Sequence, residues 1–164
     1  IYAANLDEDG MMNLDTNANF AALKKIADEQ GAAVLPVAAK FEEDIAGMEP
    51  DEAEMFMADL GLTETGLDRL IKTSYDLLGY ISFLTAGEDD VHAWTITRGT
   101  KAPKAAGKVH SDIERGFIRA EIVAFDDLKA CGSMAAAKEK GLLRLEGKDY
   151  VMQDGDITNF RFNI

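Results

Sequence analysis

The sequence predicts an α/β segment over residues 1–81 and a compact α+β unit over residues 82–164. Three observations carry that division. Strand-like and helix-like runs alternate as far as Gly79, and β-branched and aromatic runs separated by turn formers dominate beyond it. The charge balance shifts at the same place. Residues 1–81 hold 5 Lys/Arg against 17 Asp/Glu, a net of −12, whereas residues 82–164 hold 12 against 13, a net of −1.

In chain order, Ile1 to Ala4 is a short apolar strand. Asn17 or Asn19 supplies the capping oxygen for a helix with Phe20, Leu23, Ile26 and Ala27 on one face, which Gly31 can end. Ala33 to Val37 is a second apolar run, too short for a buried helix. Strand, helix, strand in this order makes a parallel crossover unit. Helical stretches follow at Phe41 to Ala46 and Asp51 to Leu60. A stronger one runs from Thr65 to Leu78, where Leu67, Leu70, Ile71, Ser74, Leu77 and Leu78 recur at helical spacing ahead of Gly79. The acidic residues of this half fit solvated helix faces.

In the second half, Tyr80 to Thr85 and Val91 to Thr97 flank the turn formers Gly87-Glu88-Asp89-Asp90 and read as a hairpin. Further strands are expected at Ile118 to Phe125, Leu143 to Leu145, Tyr150 to Met152 and Thr158 to Phe162. Short helices fit at Asp126 to Ala130 and Ser133 to Lys140.

Composition narrows the function classes. A chain of 164 residues that is 47% apolar can bury a real core. One cysteine and two histidines cannot build a disulfide framework or a four-ligand structural zinc site. Cys131 therefore reads as a small buried side chain in a reducing cytoplasm. No run approaches the roughly 20 apolar residues that span a bilayer, so no membrane partner is expected, and no DNA partner either. The chain opens directly on the apolar strand Ile1-Tyr2-Ala3-Ala4 without a methionine, which suggests a piece of a longer protein.

The tetrapeptide Asn5-Leu6-Asp7-Glu8 follows the first strand, and ligands of open α/β folds sit at the carboxyl ends of strands. A guanine-reading site commonly presents Asn-Lys-x-Asp there. Here a longer carboxylate stands last and leucine replaces lysine, a pattern suited to accepting from adenine's amino group, with Asn5 holding the loop and touching the ring. The same four residues also suit a loop that leads into a helix. The second strand ends at Ala38-Ala39-Lys40, where a second base-contacting loop would fall. No phosphate loop accompanies these residues. Neither Gly107-Lys108 nor Gly147-Lys148 belongs to a Gly-x4-Gly-Lys-Ser/Thr sequence, so the chain alone is expected not to hydrolyse nucleotide and no catalytic residue is assigned.

A larger set of motifs carries a resemblance. These are Thr85-Ala86-Gly87, Ala93-Trp94-Thr95-Ile96, Arg98-Gly99-Thr100-Lys101-Ala102-Pro103, Ala105-Ala106-Gly107, His110-Ser111-Asp112, Glu114 to Glu121, Leu143 to Val151, Gln153-Asp154-Gly155-Asp156 and Phe160-Arg161-Phe162-Asn163. Together they resemble the TGS domain that closes the Obg-like (YchF-type) ATPases. The first half is similar to the end of that family's P-loop GTPase-like nucleotide-binding domain, with Asn5-Leu6-Asp7-Glu8 on its adenine-selecting motif. The resemblance implies a ubiquitin-like β-grasp fold for residues 82–164. It also implies ATP as ligand, with GTP possible, and a role near ribosomes or in stress signalling. By carry-over Asn5, Leu6 and Glu8 are base contacts, Leu6 through its backbone, with Ala38 and Ala39 in the second loop. Ala38 departs from the Ser or Cys often found there. The phosphate loop and the ligands of magnesium would lie upstream.

Three features admit two readings each. Between positions 98 and 119, Arg98, Lys101, Lys104, Lys108, Arg115 and Arg119 face only Asp112 and Glu114; they suit either contacts to RNA or the ribosome, or a solvated surface. His110-Ser111-Asp112 suggests a hydrolytic triad, but sequence neighbours do not align as nucleophile, base and orienter. A loop fixed by local hydrogen bonds, with Ser111 or Asp112 as a helix cap, is the better account. Trp94 alternates with Val91, Ala93 and Ile96, which favours packing over an exposed stacking platform. The rival for the second half is a protein-interaction or regulatory module that never meets RNA.

Overall fold

The structure is a computed structural model and describes residues 1–87 and 90–163. It divides into two compact units, Ile1–Leu77 and Leu78–Ile164. The expected hairpin's Glu88 and Asp89 lie outside the described residues.

In the first unit, β1 (Tyr2–Asn5) and β2 (Val34–Val37) pair in parallel, Asn5 opposite Val37. The crossover runs through α1 (Glu8–Met12), a 3-10 turn at Leu14–Thr16 and α2 (Ala18–Glu29). Asn17 caps α2 by accepting from the amides of Asn19 and Phe20, and Gly31 follows it with φ 63°. After β2 come α3 (Ala39–Ile45), α4 (Pro50–Asp59) and α5 (Gly66–Leu78). Glu42 of α3 caps α5, its Oε1 accepting from the Gly66 amide at 2.6 Å. Met11, Ala38, Phe41 and Ile45 form the core here, with Leu6, Met48, Met57 and Leu60 packed against it.

The apolar stripe of α5 does not join that core: Leu67 is 62% exposed and Leu77 54%. A helix stripe needs a facing layer, and the α3–α4 cluster already spends its apolar surface on α1 and on itself.

In the second unit, five strands form one mixed sheet in the order β4-β3-β7-β5-β6. They are β3 (Tyr80–Ala86), β4 (Val91–Thr97), β5 (Phe117–Ala124), β6 (Arg144–Glu146) and β7 (Asp156–Phe162). Only the central β3·β7 pair is parallel. A domain boundary at 81/82, as the sequence suggests, would cut β3. Helices α6 (Ala102–Val109), α7 (Ser111–Arg115), α8 (Phe125–Cys131) and α9 (Met134–Glu139) connect the strands. The core gathers Ile81, Phe83 and Ile96 of the hairpin, Ala102, Ala105 and Ala106 of α6, and Phe117, Ala120, Ile122, Met152 and Phe160.

Several expectations need correction. Tyr150 to Met152 is not a strand: it makes one isolated antiparallel bridge, Lys101 to Val151. Its alternation reflects Met152 entering the core while Tyr150 turns its hydroxyl to Asp156. The stretch at 102–109, unassigned from sequence, is α6, begun by Pro103 in its first turn. The cap of α7 is His110 itself, whose Nδ1 accepts from the Asp112 amide at 3.1 Å. Cys131 is half-buried at the end of α8 rather than in the core.

Asp156 is 2% exposed and fully partnered. Its carboxylate accepts from the Tyr150 hydroxyl at 2.9 Å, the Gln153 amide at 2.9 Å and Arg144 at 3.2 Å. Next to it, Asp154 accepts from the Ser82 amide at 2.7 Å and the Gly155 amide donates to Ser82 at 2.8 Å, which lashes the turn before β7 to β3.

Gly116 lies against the backbone of Asn163, whose amide donates to its carbonyl at 2.9 Å, and a Cβ there would overlap Asn163. The Gly116→Ala substitution is expected to destabilise by about 1–3 kcal/mol in denaturant unfolding. The Gly147→Ala control, where no atom lies within 4 Å of an added Cβ, should stay within about 0.5 kcal/mol of the unsubstituted chain.

Candidate functional site

The first site is built where the two parallel strands end. Parallel pairing puts the loops after β1 and β2 side by side, and two hydrogen bonds fasten them. The Leu6 amide donates to the Val37 carbonyl at 2.8 Å, and the Ala39 amide donates to Asn5 Oδ1 at 3.1 Å. Because an amide N–H must meet an oxygen, the Asn5 –NH2 points away from Ala39, with no partner among the described residues. Asp7 caps α1, accepting from the Gly10 amide at 2.8 Å. The tetrapeptide is thus a loop leading into a helix, and Glu8 begins the helix.

A cavity of about 270 Å³ opens here, lined by Leu6, Asp7, Glu8, Asp9, Ala38, Lys40 and Phe41. It brings together Leu6, Glu8 and Ala38 of the residues singled out from sequence. Asn5 and Ala39 stand behind it as the fastening between the loops. Asp9, Lys40 and Phe41 are additions that only the parallel juxtaposition reveals. Ala38 is 2% exposed and packs into the core, so its methyl offers little to a ligand. Lys40 is engaged by Asp44 at 2.7 Å and Glu43 at 3.5 Å, and the hydrogen bond it donates to Asp44 raises its pKa above the usual lysine value. The Glu8 carboxylate has no hydrogen-bond or ion-pair partner among the described residues.

The cavity pairs the Glu8 carboxylate, an acceptor, with an apolar wall from Phe41. The described residues hold no cluster of His, Cys, Asp and Glu suited to a metal ion.

The basic segment is different from its sequence. Lys101 pairs with Asp149 at 2.7 Å, Lys104 with Glu114 at 2.5 Å, Arg115 with Asp112, and Arg119 with Glu121 at 3.7 Å. The hydrogen bond from Lys101 holds the Asp149 carboxyl below the usual carboxylate range, and Arg161 does the same for Glu121. Arg98 is engaged as well. Among the described residues, Lys108 carries no ion-pair partner. Trp94 is half-buried, stacked 6.5 Å from Phe83, and its Nε1 donates to Thr85 at 2.9 Å, which is the packing arrangement.

Residues 80–163 match the model of the YchF-GTPase_C family, described as a protein of unknown function (DUF933). The whole chain is 53% identical to the "Ribosome-binding ATPase YchF" of Bacillus subtilis (strain 168), of which it covers 45%. Over 139 residues it is 46% identical to "Obg-like ATPase 1" of Oryza sativa subsp. japonica, matching 85% of this chain and 35% of that one. Among solved structures it superposes on the YchF GTPase of Schizosaccharomyces pombe with a TM-score of 0.81 at 35% identity, covering 98% of this chain and 43% of that one. The chain spans about half the length of the curated relatives it matches.

If Asn5 fastens the two loops, Asn5→Ala should cost about 1 kcal/mol of stability and speed hydrogen exchange at the Ala39 amide. Asn5→Asp, which keeps the accepting oxygen, should leave that amide protected.

Proposed function

This chain belongs to the YchF family of Obg-like ATPases, and on that footing we propose that its first unit reads the base of an adenine nucleotide and its second docks onto the ribosome in the cytoplasm. The Glu8 carboxylate carries the nucleotide half of the proposal. It is partnerless among the described residues, at the end of a parallel strand, beside a loop that Asn5 ties to the Ala38-Ala39 turn. Adenine presents an amino donor to such a carboxylate, whereas guanine presents two adjacent donors to a shorter one.

Asn5, Leu6, Glu8, Ala38 and Ala39 form the base site in this reading, with Ala38 and Ala39 contributing backbone. ATP is the ligand it favours, with GTP weaker. Hydrolysis takes a phosphate-binding loop and magnesium, and no residue of this sequence is assigned to that step.

Ribosome docking is supported by the names of the relatives that match across this whole chain. The second unit supplies the surface as a TGS module of β-grasp type. Its mixed sheet, with α6 and α7 packed against the face that carries Phe83 and Phe160, supports that assignment. Arg98, Lys101, Lys104, Lys108, Arg115 and Arg119 are the proposed contacts to RNA or the ribosome. Surface ion pairs of the kind seen here are worth about 0–1 kcal/mol each, so phosphates can displace their carboxylates.

Two measurements test the two halves. In an NMR titration of the 164-residue chain, adenosine should shift the Glu8, Ala38 and Lys40 amides at several-fold lower concentration than guanosine, and Glu8→Ala should abolish the difference. Equal response to both nucleosides would defeat the adenine assignment. In co-sedimentation with ribosomes, the combined Lys101→Ala, Arg115→Ala and Arg119→Ala variant should bind more weakly and lose about 2–3 from the slope of log affinity against log salt. An unchanged slope would show that these cations meet no phosphate.

A further inference from the structure

Where β3 turns off into its hairpin, β7 runs on to Phe162. Strand alternation places Thr158, Phe160 and Phe162 on one face of β7, and the register that sets Leu84 opposite Ile157 brings Thr158 beside Thr85 of β3. Val109, at the end of α6, and Ile113 of α7 pack over that face. These six residues line a cavity of about 340 Å³ whose lining holds no charged residue. Small-molecule sites are cavities of about 300–1,000 Å³, apolar for the most part and carrying a few convergent polar groups.

The convergent groups here are two hydroxyls. Thr158 is 3% exposed, and its Oγ1 has no hydrogen-bond partner. Folded proteins seldom leave a buried polar atom unmet, because each one costs its full desolvation. The Thr85 hydroxyl accepts from Trp94 Nε1 at 2.9 Å and makes no other hydrogen bond among the described residues. Its own proton is still to be placed. Neighbouring strands lie about 4.8 Å apart, so one oxygen standing between the two threonines can accept from both.

The chemistry of the occupant follows from these walls. A carbonyl oxygen has the two lone pairs that such a position uses. A carboxylate or an ammonium would be taken out of water against Phe160 and Val109 with no countercharge in the lining, which is costly. The rings of Phe160 and Phe162 favour a flat apolar body, and Phe162, 43% exposed, stands at the open end.

We propose that this cavity binds a small neutral ring compound bearing a carbonyl, its ring against Phe160 and Phe162 and its oxygen accepting from Thr85 and Thr158. The site uses none of the residues given to the base site or to the ribosome contacts, and it stands or falls apart from both.

The test is an amide-detected NMR titration of the 164-residue chain with acetophenone, with ethylbenzene, benzoate and benzylammonium in parallel. Acetophenone should shift the Thr85, Thr158, Phe160 and Phe162 amides saturably. Ethylbenzene, which has nearly the same shape and no oxygen, should shift them at least ~10-fold less at the same concentration. The two charged compounds should do no better than ethylbenzene. Thr158→Val removes the hydroxyl and little else. It should weaken acetophenone about 10-fold and leave ethylbenzene unaffected. Its melting temperature should equal or exceed that of the parent, since the substitution deletes an unmet buried donor. Any of four results would overturn the proposal. The first is no saturable shift of these amides by acetophenone, and the second is an equal response to ethylbenzene. The third is tighter binding of benzoate or benzylammonium at the same amides. The fourth is a Thr158→Val chain that melts lower and binds acetophenone as the parent does, which would give the hydroxyl to a resident water.

Discussion

A carboxylate taken out of water must be met by donors on every side, and in the second unit that requirement falls on Asp156. Tyr150, Gln153 and Arg144 converge on it from the segment that precedes β7 and from β6. Removing any one leaves a buried charge under-satisfied. The shape of the Gln153–Asp156 turn follows from it, and with that turn comes the position of Asp154 and Gly155 against Ser82. β7 is thereby seated parallel to β3, β3 carries the hairpin, and β4 is left as the sheet's outer strand.

The first unit rests on a comparable but lighter device. Parallel strands need nothing beyond their ladder to lie together, yet the loops that leave them can diverge. The hydrogen bond from the Ala39 amide to Asn5 prevents that divergence at the end where a ligand would sit. Phe41 and Ile45, anchored in the core beside Met11, then set the wall of the cavity. The same short loop caps α1 through Asp7 and lines the cavity through Glu8. A loop can do both because adjacent side chains at a helix start point in different directions.

Much of this was legible in the sequence, and the failures have physical causes. The cap at Asn17, the crossover order and the aromatic hairpin follow from local chemistry, and local chemistry prevailed. α6 leaves little trace in the sequence because its buried positions, Ala102, Ala105 and Ala106, have helical spacing but only methyl groups. The Tyr150 to Met152 run alternates like a strand, but one side chain answers the core and the other answers Asp156. At the candidate base site, Asn5, Leu6 and Glu8 stand in sequence order, while Lys40 and Phe41 come from the start of α3, after β2, and are brought in by the β1·β2 register. Sequence cannot show that Asp149, Glu114, Asp112 and Glu121 fold onto four of the six cations, Lys101, Lys104, Arg115 and Arg119.

The unequal edges of the five-stranded sheet also bear on self-association. A sheet open on both sides can add copies without end, because each newcomer presents a fresh edge to the next. Here the β6 side is short and charged, so a neighbour arriving at β4 would consume the receptive side and offer nothing comparable in return. Addition at β4 would leave the short, charged β6 edge, the form that discourages a further strand.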